Sequence, residues 1–295
     1  MRKHLRLAER GRVLPSEELR ARPVERVWGK PGLPPEWPRS GGTEPIGEIW
    51  FETMRPDDAE LLVKYLFTAD RLSIQVHPDD EGARAAGRAR GKDEAWLVLD
   101  ADPGAVIGLG LREAVPKEAL RAAALDGGIE ALIDWRPVSA GDFFYSPAGT
   151  VHAIGAGLTL IEIQQNLDLT YRLYDYGRPR ELHLEEAVAA ADAAPWRRSF
   201  APIAISPGRE ILYSGGAFVV ERWTMTGSNQ LDSADGQLLL IPLREAGRLD
   251  GQALAPGAVW RVAGNAALDS ETPLDLLAAY PGREVHEALL KPCLA

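Results

Sequence analysis

The feature that most constrains this chain is a tight turn that lifts one histidine onto the start of an apolar strand. Residues 141–172 read G-D-F-F-Y-S-P-A-G-T-V-H-A-I-G-A-G-L-T-L-I-E-I-Q-Q-N-L-D-L-T-Y-R. The turn P-A-G precedes His152, and the strand that follows carries Glu162 and Gln164 on one face because side chains alternate along a strand. Arg172 ends the segment. A histidine held by a turn, followed by an acid and an arginine, predicts half of a metal site with its substrate groups.

The other half of the predicted site lies upstream, on two short strands. The stretch R-L-S-I-Q-V-H-P puts Gln75 and His77 on one strand face at i and i+2, the spacing that a strand-borne chelate needs. The stretch G-K-D-E-A-W-L-V-L-D returns as a strand in which Lys92 and Glu94 share a face. With His152, these strands offer two imidazole nitrogens, a carboxylate and an amide oxygen. That donor set suits a divalent borderline metal, zinc first, with positions left open for water or substrate.

A lone histidine is more often structural than metal-binding, so the spacing of the turn carries the prediction. The pattern G-x5-P-x-G-x2-H is the second metal-binding motif of the cupin superfamily. Its positions are filled by Gly141, Pro147, Gly149 and His152. Ala156 stands where this motif usually closes on asparagine. In the first cupin motif, Gln75 replaces the first histidine, and an insertion at residues 79–90 delays the glutamate, Glu94.

Longer strings resemble one cupin family, the type I mannose-6-phosphate isomerases in their short bacterial form. They include L-S-I-Q-V-H-P-D-D, G-K-D-E-A-W-L-V-L-D, I-E-I-Q-Q-N and T-Y-R-L-Y-D-Y, in order and in register, between about residues 23 and 184. The resemblance implies a metal-dependent aldose–ketose isomerisation of mannose 6-phosphate to and from fructose 6-phosphate through an enediol. It also implies one Zn²⁺ per chain. The implied ligands are Gln75, His77, Glu94 and His152.

The remaining candidate residues would handle the proton and the substrate. Lys92 and Glu162 are both candidates for proton transfer, although Lys92 would suit a plain ion pair and Glu162 could instead orient a ligand. Arg172 cannot serve as a base at ordinary pH, but its guanidinium can hold an oxyanion or phosphate. Arg178 is a further candidate for the phosphate. Trp50 is a candidate wall of the sugar pocket, although core packing is the commoner role of such a tryptophan.

The fold is predicted to be mainly β. Its 29 glycines and 22 prolines are spread through the chain, as many tight turns between short strands require. We predict a cupin (double-stranded β-helix, or jelly-roll) catalytic barrel with helical insertions and a second, smaller metal-free β-barrel. The predicted domains are an N-terminal extension over 1–20, the catalytic domain over 21–200 and a C-terminal cupin-like domain over 201–295. Helices are predicted over 57–67, 79–90, 116–133 and 183–191.

Composition limits the partners. A net charge of −10 disfavours nucleic acid and acidic lipid, and no apolar run reaches the ~18 residues of a membrane span. We expect a small phosphosugar as the partner, without nucleic acid or membrane, and a monomer or homodimer. The basic N-terminus has no apolar core of a signal peptide, and the single cysteine, Cys293, can form no internal disulfide. Both features favour a cytoplasmic location.

Two other functions remain open at this point. The chain could be a cupin isomerase for another phosphosugar or for an unphosphorylated aldose, and a phosphate pocket that includes Arg172 and Arg178 would argue against the second of these. It could also be a non-catalytic sugar-binding or regulatory cupin that kept its metal. The presence of both Lys92 and Arg172 favours the enzyme over that third reading.

Overall fold

The structure, a computed structural model, describes residues 16–35, 37–38, 40–54, 59–197, 201–244 and 247–292. It divides into two compact units, one formed by Arg20–Ala201 and the other by the described residues before and after that range. Most of the predicted N-terminal extension, residues 1–15, lies outside the described residues, and so does Cys293. None of the described helices is long and apolar enough to cross a membrane.

Strands dominate both units, which confirms the mainly β prediction. In chain order they are β1 Glu17–Glu18, β2 Arg20–Lys30, β3 Ile46–Glu52, β4 Leu61–Thr68, β5 Ile74–Val76, β6 Glu94–Ala101, β7 Val106–Leu111, β8 Ile133–Pro137, β9 Phe143–Ser146, β10 His152–Ile154, β11 Leu158–Gln165, β12 Tyr171–Tyr174, β13 Ile203–Ser206, β14 Arg209–Tyr213, β15 Phe218–Trp223, β16 Gly227–Pro242, β17 Arg248–Leu249, β18 Gln252–Ala253, β19 Trp260–Ser270, β20 Leu276–Pro281 and β21 Leu290–Pro292. The helices are α1 Asp80–Ala85, α2 Lys117–Asp126, α3 Ile129–Leu132, α4 Leu184–Ala190 and a 3₁₀ helix at Glu287–Leu289.

The unit Arg20–Ala201 is built from two facing antiparallel sheets. One has the strand order β2-β3-β4-β11-β6-β9 and the other β12-β5-β10-β7-β8. Their inner faces share a core, in which Trp96 and Val98 of the first sheet pack with Ile107, Leu109 and Ile154 of the second. This is the jelly-roll barrel expected of a cupin, and it places polar side chains from both sheets in one interior.

The helical insertions fall between and after the barrel strands. Asp79 caps α1 by accepting the backbone N–H of Gly82 at 2.8 Å. The chain breaks between α2 and α3 at Gly127, whose φ of +83° lies in the left-handed region that favours glycine. These helices confirm the predictions for 79–90 and 116–133, and α4 confirms the one for 183–191. Helices α2, α3 and α4 pack on the outer side of the second sheet through Leu120, Ile129 and Ala187.

The helix predicted over 57–67 is wrong where the structure describes that range. Residues 61–68 form β4, and every residue of it is buried. A strand covered on both faces needs apolar side chains at successive positions, and over a short run that pattern cannot be distinguished from a buried helix. The predicted start of the helix, residues 55–58, lies outside the described residues.

The second unit is a ten-stranded antiparallel sheet with its own core. The strand order is β13-β14-β15-β20-β16-β19-β17-β18, with β1 paired to β19 and β21 paired to β16. Its interior contains a buried ion pair, in which Arg209 Nη2 lies 2.8 Å from Glu221 Oε2. Tyr280 and Trp223 donate further hydrogen bonds to the same carboxylate, at 2.6 and 2.7 Å. The carboxylate is therefore fully satisfied, as a buried charge must be.

Candidate metal centre and active-site cavity

Three buried side chains converge inside the barrel. His77 directly follows β5, Glu94 begins β6 and His152 begins β10. The register between β10 and β5 pairs His152 with Gln75, which brings the two histidine-bearing segments side by side. Glu94 reaches them from the facing sheet. One ligand atom from each residue lies within 4.8 Å of the other two.

The predicted turn positions His152 and also holds His77. Gly149 has a φ of +85°, and a Cβ there would lie 3.3 Å from the carbonyl oxygen of Ala190. The N–H of Gly149 donates to the carbonyl of His77 at 2.9 Å. The motif therefore needs its glycine for backbone shape, and the resulting turn fixes two histidine segments together.

Hydrogen bonds fix the tautomers of both histidines. His77 Nδ1 lies 2.9 Å from the carbonyl of Leu169, and His152 Nδ1 lies 2.9 Å from the carbonyl of Thr150. A carbonyl only accepts, so each Nδ1 carries the proton and each Nε2 presents a lone pair. These lone pairs face Glu94, at 3.2 Å from His77 to Oε1 and 3.4 Å from His152 to Oε2.

The Glu94 carboxylate is the strongest sign that a cation belongs here. It is 1% exposed; Lys92 Nζ lies 2.8 Å from its Oε1, whereas its Oε2 lies 3.4 Å from His152 Nε2 and accepts no hydrogen bond from the described residues. A buried carboxylate oxygen that has no donor and faces an imidazole lone pair is costly unless a further positive charge joins the two groups. A tetrahedral ion at about 2.0–2.2 Å from each ligand would separate those ligands by about 3.3–3.6 Å. The distances from Glu94 to His77 and His152, 3.2 and 3.4 Å, are close to that range. The residues present therefore fit a divalent metal ion.

The protonation states also suit metal ligands. Burial lowers the pKa of His77 to about 3 and lowers that of His152, so both imidazoles are neutral near pH 7. Burial alone would raise the pKa of Glu94, but the ammonium of Lys92, 2.8 Å from Oε1, opposes it, and this pKa lies well below its usual range. Neutral imidazole and ionised carboxylate are the forms that bind a metal without first losing a proton.

Gln75, the fourth predicted ligand, lies beside the cluster. Its amide nitrogen is 3.3 Å from His152 Nε2, and its oxygen accepts the hydroxyl of Ser73 at 3.0 Å. A half-turn of the amide exchanges its oxygen and nitrogen, so the same side chain can present an oxygen to the site.

A cavity of about 550 Å³ opens in front of the cluster. Gln75 and Lys92 line it and also contact the cluster, since Lys92 Nζ lies 2.8 Å from Glu94 Oε1 and 3.3 Å from His77 Nε2. Other polar residues of the lining are Glu25, Arg26, Glu48, Lys64, Ser73, Glu162, Asp168, Thr170, Arg172, Arg180 and His183. The candidate metal ligands, the candidate proton-transfer residues and several arginines therefore lie around one cavity.

Arg172 is an uncompensated cation in this lining. The register of β12 with β5 pairs it with Gln75, and its guanidinium donates to the carbonyl of Glu181 at 3.1 Å. No carboxylate of the described residues lies within ion-pair distance of it. Burial and the nearby charge of Arg180 lower the pKa of Arg172, although an arginine remains charged at pH 7. Such a cation is suited to an incoming anion.

Arg178, predicted to lie beside the substrate, does not line this cavity. Its guanidinium is held by the buried carboxylate of Asp175 at 2.7 Å and by the carbonyl of Arg71 at 2.9 Å. Arg180, from the same turn, lines the cavity in its place, although it also pairs with Asp175, at 2.6 Å.

Trp50 does not wall the cavity either, since the structure places it beside Lys64 rather than in the lining. Its indole N–H donates to Glu48 at 2.9 Å, and the ammonium of Lys64 lies 4.6 Å from the centroid of its ring. The tryptophan therefore packs against two charged residues that do line the cavity. This is the packing role that the sequence left as the alternative.

Glu162 lines the cavity with an ion-pair partner that sequence reasoning missed. Lys64 lies opposite it in the β4–β11 register, with Nζ 3.0 Å from Glu162 Oε2. Trp96 donates to the other oxygen at 3.3 Å. Burial raises the pKa of Glu162, while Lys64 partly offsets that effect. A signal was available, because Lys64 is the one charged residue in the apolar run L-L-V-K-Y-L-F.

We expect Lys64→Met to destabilise the fold by about 2–3 kcal/mol at pH 7.5. Removing one partner leaves a buried carboxylate unpaired, and access of water through the cavity keeps the cost below the ~3–5 kcal/mol of a fully enclosed pair. The pKa of Glu162 would rise further, so the folded state would bind more protons than the unfolded state. The penalty should therefore shrink as pH falls towards 5. Urea denaturation at both pH values measures it.

The double variant Lys64→Met/Glu162→Gln is the control for this prediction. It removes both charges, so most of the lost free energy of unfolding should return. A double variant as unstable as Lys64→Met alone would mean that the lysine acts through packing rather than through its charge.

Two curated relatives share much of this sequence. A mannose-6-phosphate isomerase of Streptococcus mutans is 39% identical over 201 residues, which are 64% of this chain and 62% of the relative. Mannose-6-phosphate isomerase ManA of Bacillus subtilis is 36% identical over 220 residues, 69% of this chain and 70% of that protein. This chain belongs to the mannose-6-phosphate isomerase family. No family model matches the chain.

A solved structure extends the likeness to the family beyond the aligned residues. The crystal structure of the mannose 6-phosphate isomerase from Bacillus subtilis superposes with a TM-score of 0.78 at 25% identity, covering 90% of this chain and 100% of the other. The sequence alignment with the Streptococcus mutans relative spans less than two thirds of that relative's length. Mannose-6-phosphate isomerases are metal-dependent, in agreement with the His77–Glu94–His152 cluster.

Proposed function

We propose that this chain catalyses the reversible isomerisation of mannose 6-phosphate and fructose 6-phosphate. The proposal rests on one observation, the meeting of a buried cation site with an uncompensated arginine, Arg172, at a single cavity of about 550 Å³. That volume lies within the ~300–1,000 Å³ of small-molecule sites. A phosphosugar needs both features, because its carbonyl end reacts while its phosphate end is held.

We assign the cation to Gln75, His77, Glu94 and His152, with zinc as the ion and one ion per chain. Two neutral imidazoles, a carboxylate and an amide oxygen are the donor set that supports this choice. When bound, the ion supplies Lewis acidity, which polarises the carbonyl and hydroxyl oxygens of the sugar and stabilises negative charge on them.

The chain's own residues move the proton. In the forward direction the proton on C2 is removed, giving an enediol, and a proton is delivered to C1, while a hydroxyl proton passes from O2 to O1. No oxidant is needed, because the oxidation of C2 balances the reduction of C1. Lys92 and Glu162 line the cavity and are the proposed acid–base groups. The raised pKa of Glu162 favours exchange of a proton closer to neutral pH.

Arg172 would receive the phosphate or an oxyanion of the sugar. Arg26 and Arg180 line the same cavity, but each is paired with a carboxylate, Glu48 at 2.6 Å and Asp175 at 2.6 Å. Arg172 therefore carries the charge that an incoming anion can neutralise, while the paired arginines offer further donors.

We further propose a cytoplasmic location, because the chain's single cysteine, Cys293, can form no internal disulfide and a reducing compartment suits it. The proposed partner is a small phosphosugar rather than a macromolecule.

A coupled assay tests the proposed function. Purified protein loaded with Zn²⁺ should convert mannose 6-phosphate to fructose 6-phosphate, lose that activity to background after chelation and regain it when Zn²⁺ is restored. Unphosphorylated mannose should be a poor substrate. Absence of turnover in the metal-loaded protein would leave an isomerase for another sugar or a non-catalytic sugar-binding cupin. Equal turnover of mannose would contradict the phosphate role of Arg172.

A further inference from the structure

Asp93 lies in sequence between Lys92 and Glu94 of the candidate site, but its side chain contacts the segment before His152 rather than the site itself. Lys92 and Glu94 face the cluster, and alternation along the extended chain directs Asp93 to the other side. Its carboxylate accepts the backbone N–H of Ala148 at 2.8 Å and, through its other oxygen, the hydroxyl of Tyr145. Both oxygens of Asp93 are thus committed to the segment that leads to His152.

The Ala148 contact reaches the turn that holds the histidines. Ala148 stands between Pro147 and Gly149, and the N–H of Gly149 donates to the carbonyl of His77 at 2.9 Å. The turn is therefore joined on one side to the segment of Glu94, through Asp93, and on the other to the segment of His77.

The backbone of Asp93 is itself anchored. Its N–H donates to the side-chain oxygen of Gln165 at 2.9 Å, and its carbonyl accepts the N–H of Gln165 at 3.1 Å. The end of β11 thus holds Asp93 in place, so the carboxylate links the turn to a fixed point rather than to a mobile loop.

We propose that Asp93 is a positioning residue that sets the separation of Glu94 from the two histidines and thereby the affinity of the site for its cation. The inference rests on the proposed metal site but not on the identity of the sugar. Hydrogen bonds that hold metal-binding residues in place from outside the ligand set typically contribute about 10- to 100-fold to metal affinity, because they fix the ligands at the separation that the ion requires.

Asp93→Ala tests the inference through binding rather than turnover. Its affinity for Zn²⁺, measured by competition with a chromophoric chelator, should fall by about 10- to 100-fold. The visible absorption bands of bound Co²⁺ should change, because they report ligand geometry. Asp93→Asn keeps an oxygen for the N–H of Ala148 and should recover most of the affinity. Asp100→Ala, which removes an exposed carboxylate from β6, the strand that directly follows Asp93, should leave both readouts unchanged.

Tyr145→Phe keeps the test decisive if Asp93→Ala fails to fold. It removes only the hydroxyl contact, so a smaller loss of Zn²⁺ affinity in the same direction is expected. If Asp93→Ala, or Tyr145→Phe in its place, kept the wild-type Zn²⁺ affinity and Co²⁺ spectrum, the inference would be overturned while the proposed function would stand. A wild-type protein that binds neither ion would overturn the inference and the proposed function together.

Discussion

His152→Ala is expected to release the cation and to lower kcat/KM for mannose 6-phosphate by about 10³-fold or more. The substitution removes one of two imidazoles that face Glu94, at 3.4 Å from its carboxylate. Lewis-acid stabilisation contributes several kcal/mol to such a reaction, and each ~1.4 kcal/mol is a factor of ten in rate. Metal analysis of the dialysed protein and the coupled assay measure the two effects separately.

His286→Ala is the matched control for that experiment. His286 is exposed and belongs to the other compact unit, so the same substitution there should change neither metal content nor turnover. A His152→Ala protein that is free of zinc and fully active would refute the metal assignment. Thermal unfolding of both variants without metal would separate loss of a ligand from loss of the fold.

The side chains proposed as metal ligands were predictable because their placement depends on local rules. Gln75 and His77 share a face through strand alternation, and the P-A-G turn needs a glycine with positive φ wherever it occurs. These constraints act over a few residues, so the sequence contains them. His77, Glu94 and His152 do meet as a group that could hold a metal ion, and Gln75 as the fourth ligand stays a prediction.

The choice between neighbouring arginines could not be predicted in this way. Arg178 and Arg180 occupy the same turn, and the buried carboxylate of Asp175 binds both of them. Arg178 is drawn further aside by the carbonyl of Arg71, which is distant in sequence. Only the packing of separate segments decides which guanidinium faces the cavity.

The strand β4 illustrates a second limit. Its eight residues are buried on both faces, so the alternation that usually identifies a strand is missing. Lys64 lies within it because Glu162, almost a hundred residues later, provides its countercharge at 3.0 Å. Because this stretch was predicted to be a helix, Lys64 was left out of the predicted site: a helix would not have paired it with Glu162 of β11.

Arg172→Ala is expected to lower kcat/KM for mannose 6-phosphate by about 10²- to 10³-fold while changing the free energy of unfolding little. A guanidinium that makes two charge-assisted hydrogen bonds to an anion contributes a few kcal/mol, which corresponds to that range of rates. The structural cost is small because its one side-chain hydrogen bond is to the carbonyl of Glu181.

Inorganic phosphate separates anion binding from chemistry in this experiment. As a competitive inhibitor it should bind Arg172→Ala more weakly than the wild type, by a factor similar to the loss in kcat/KM if Arg172 holds the phosphate. An unchanged inhibition constant with a lowered kcat would instead assign the arginine to an oxyanion at the reacting end of the sugar. Arg178→Ala provides the contrast, because its contacts with Asp175 and Arg71 predict a loss of stability with the inhibition constant unaltered. Wild-type turnover and phosphate inhibition in Arg172→Ala would show that the uncompensated charge does not meet the substrate.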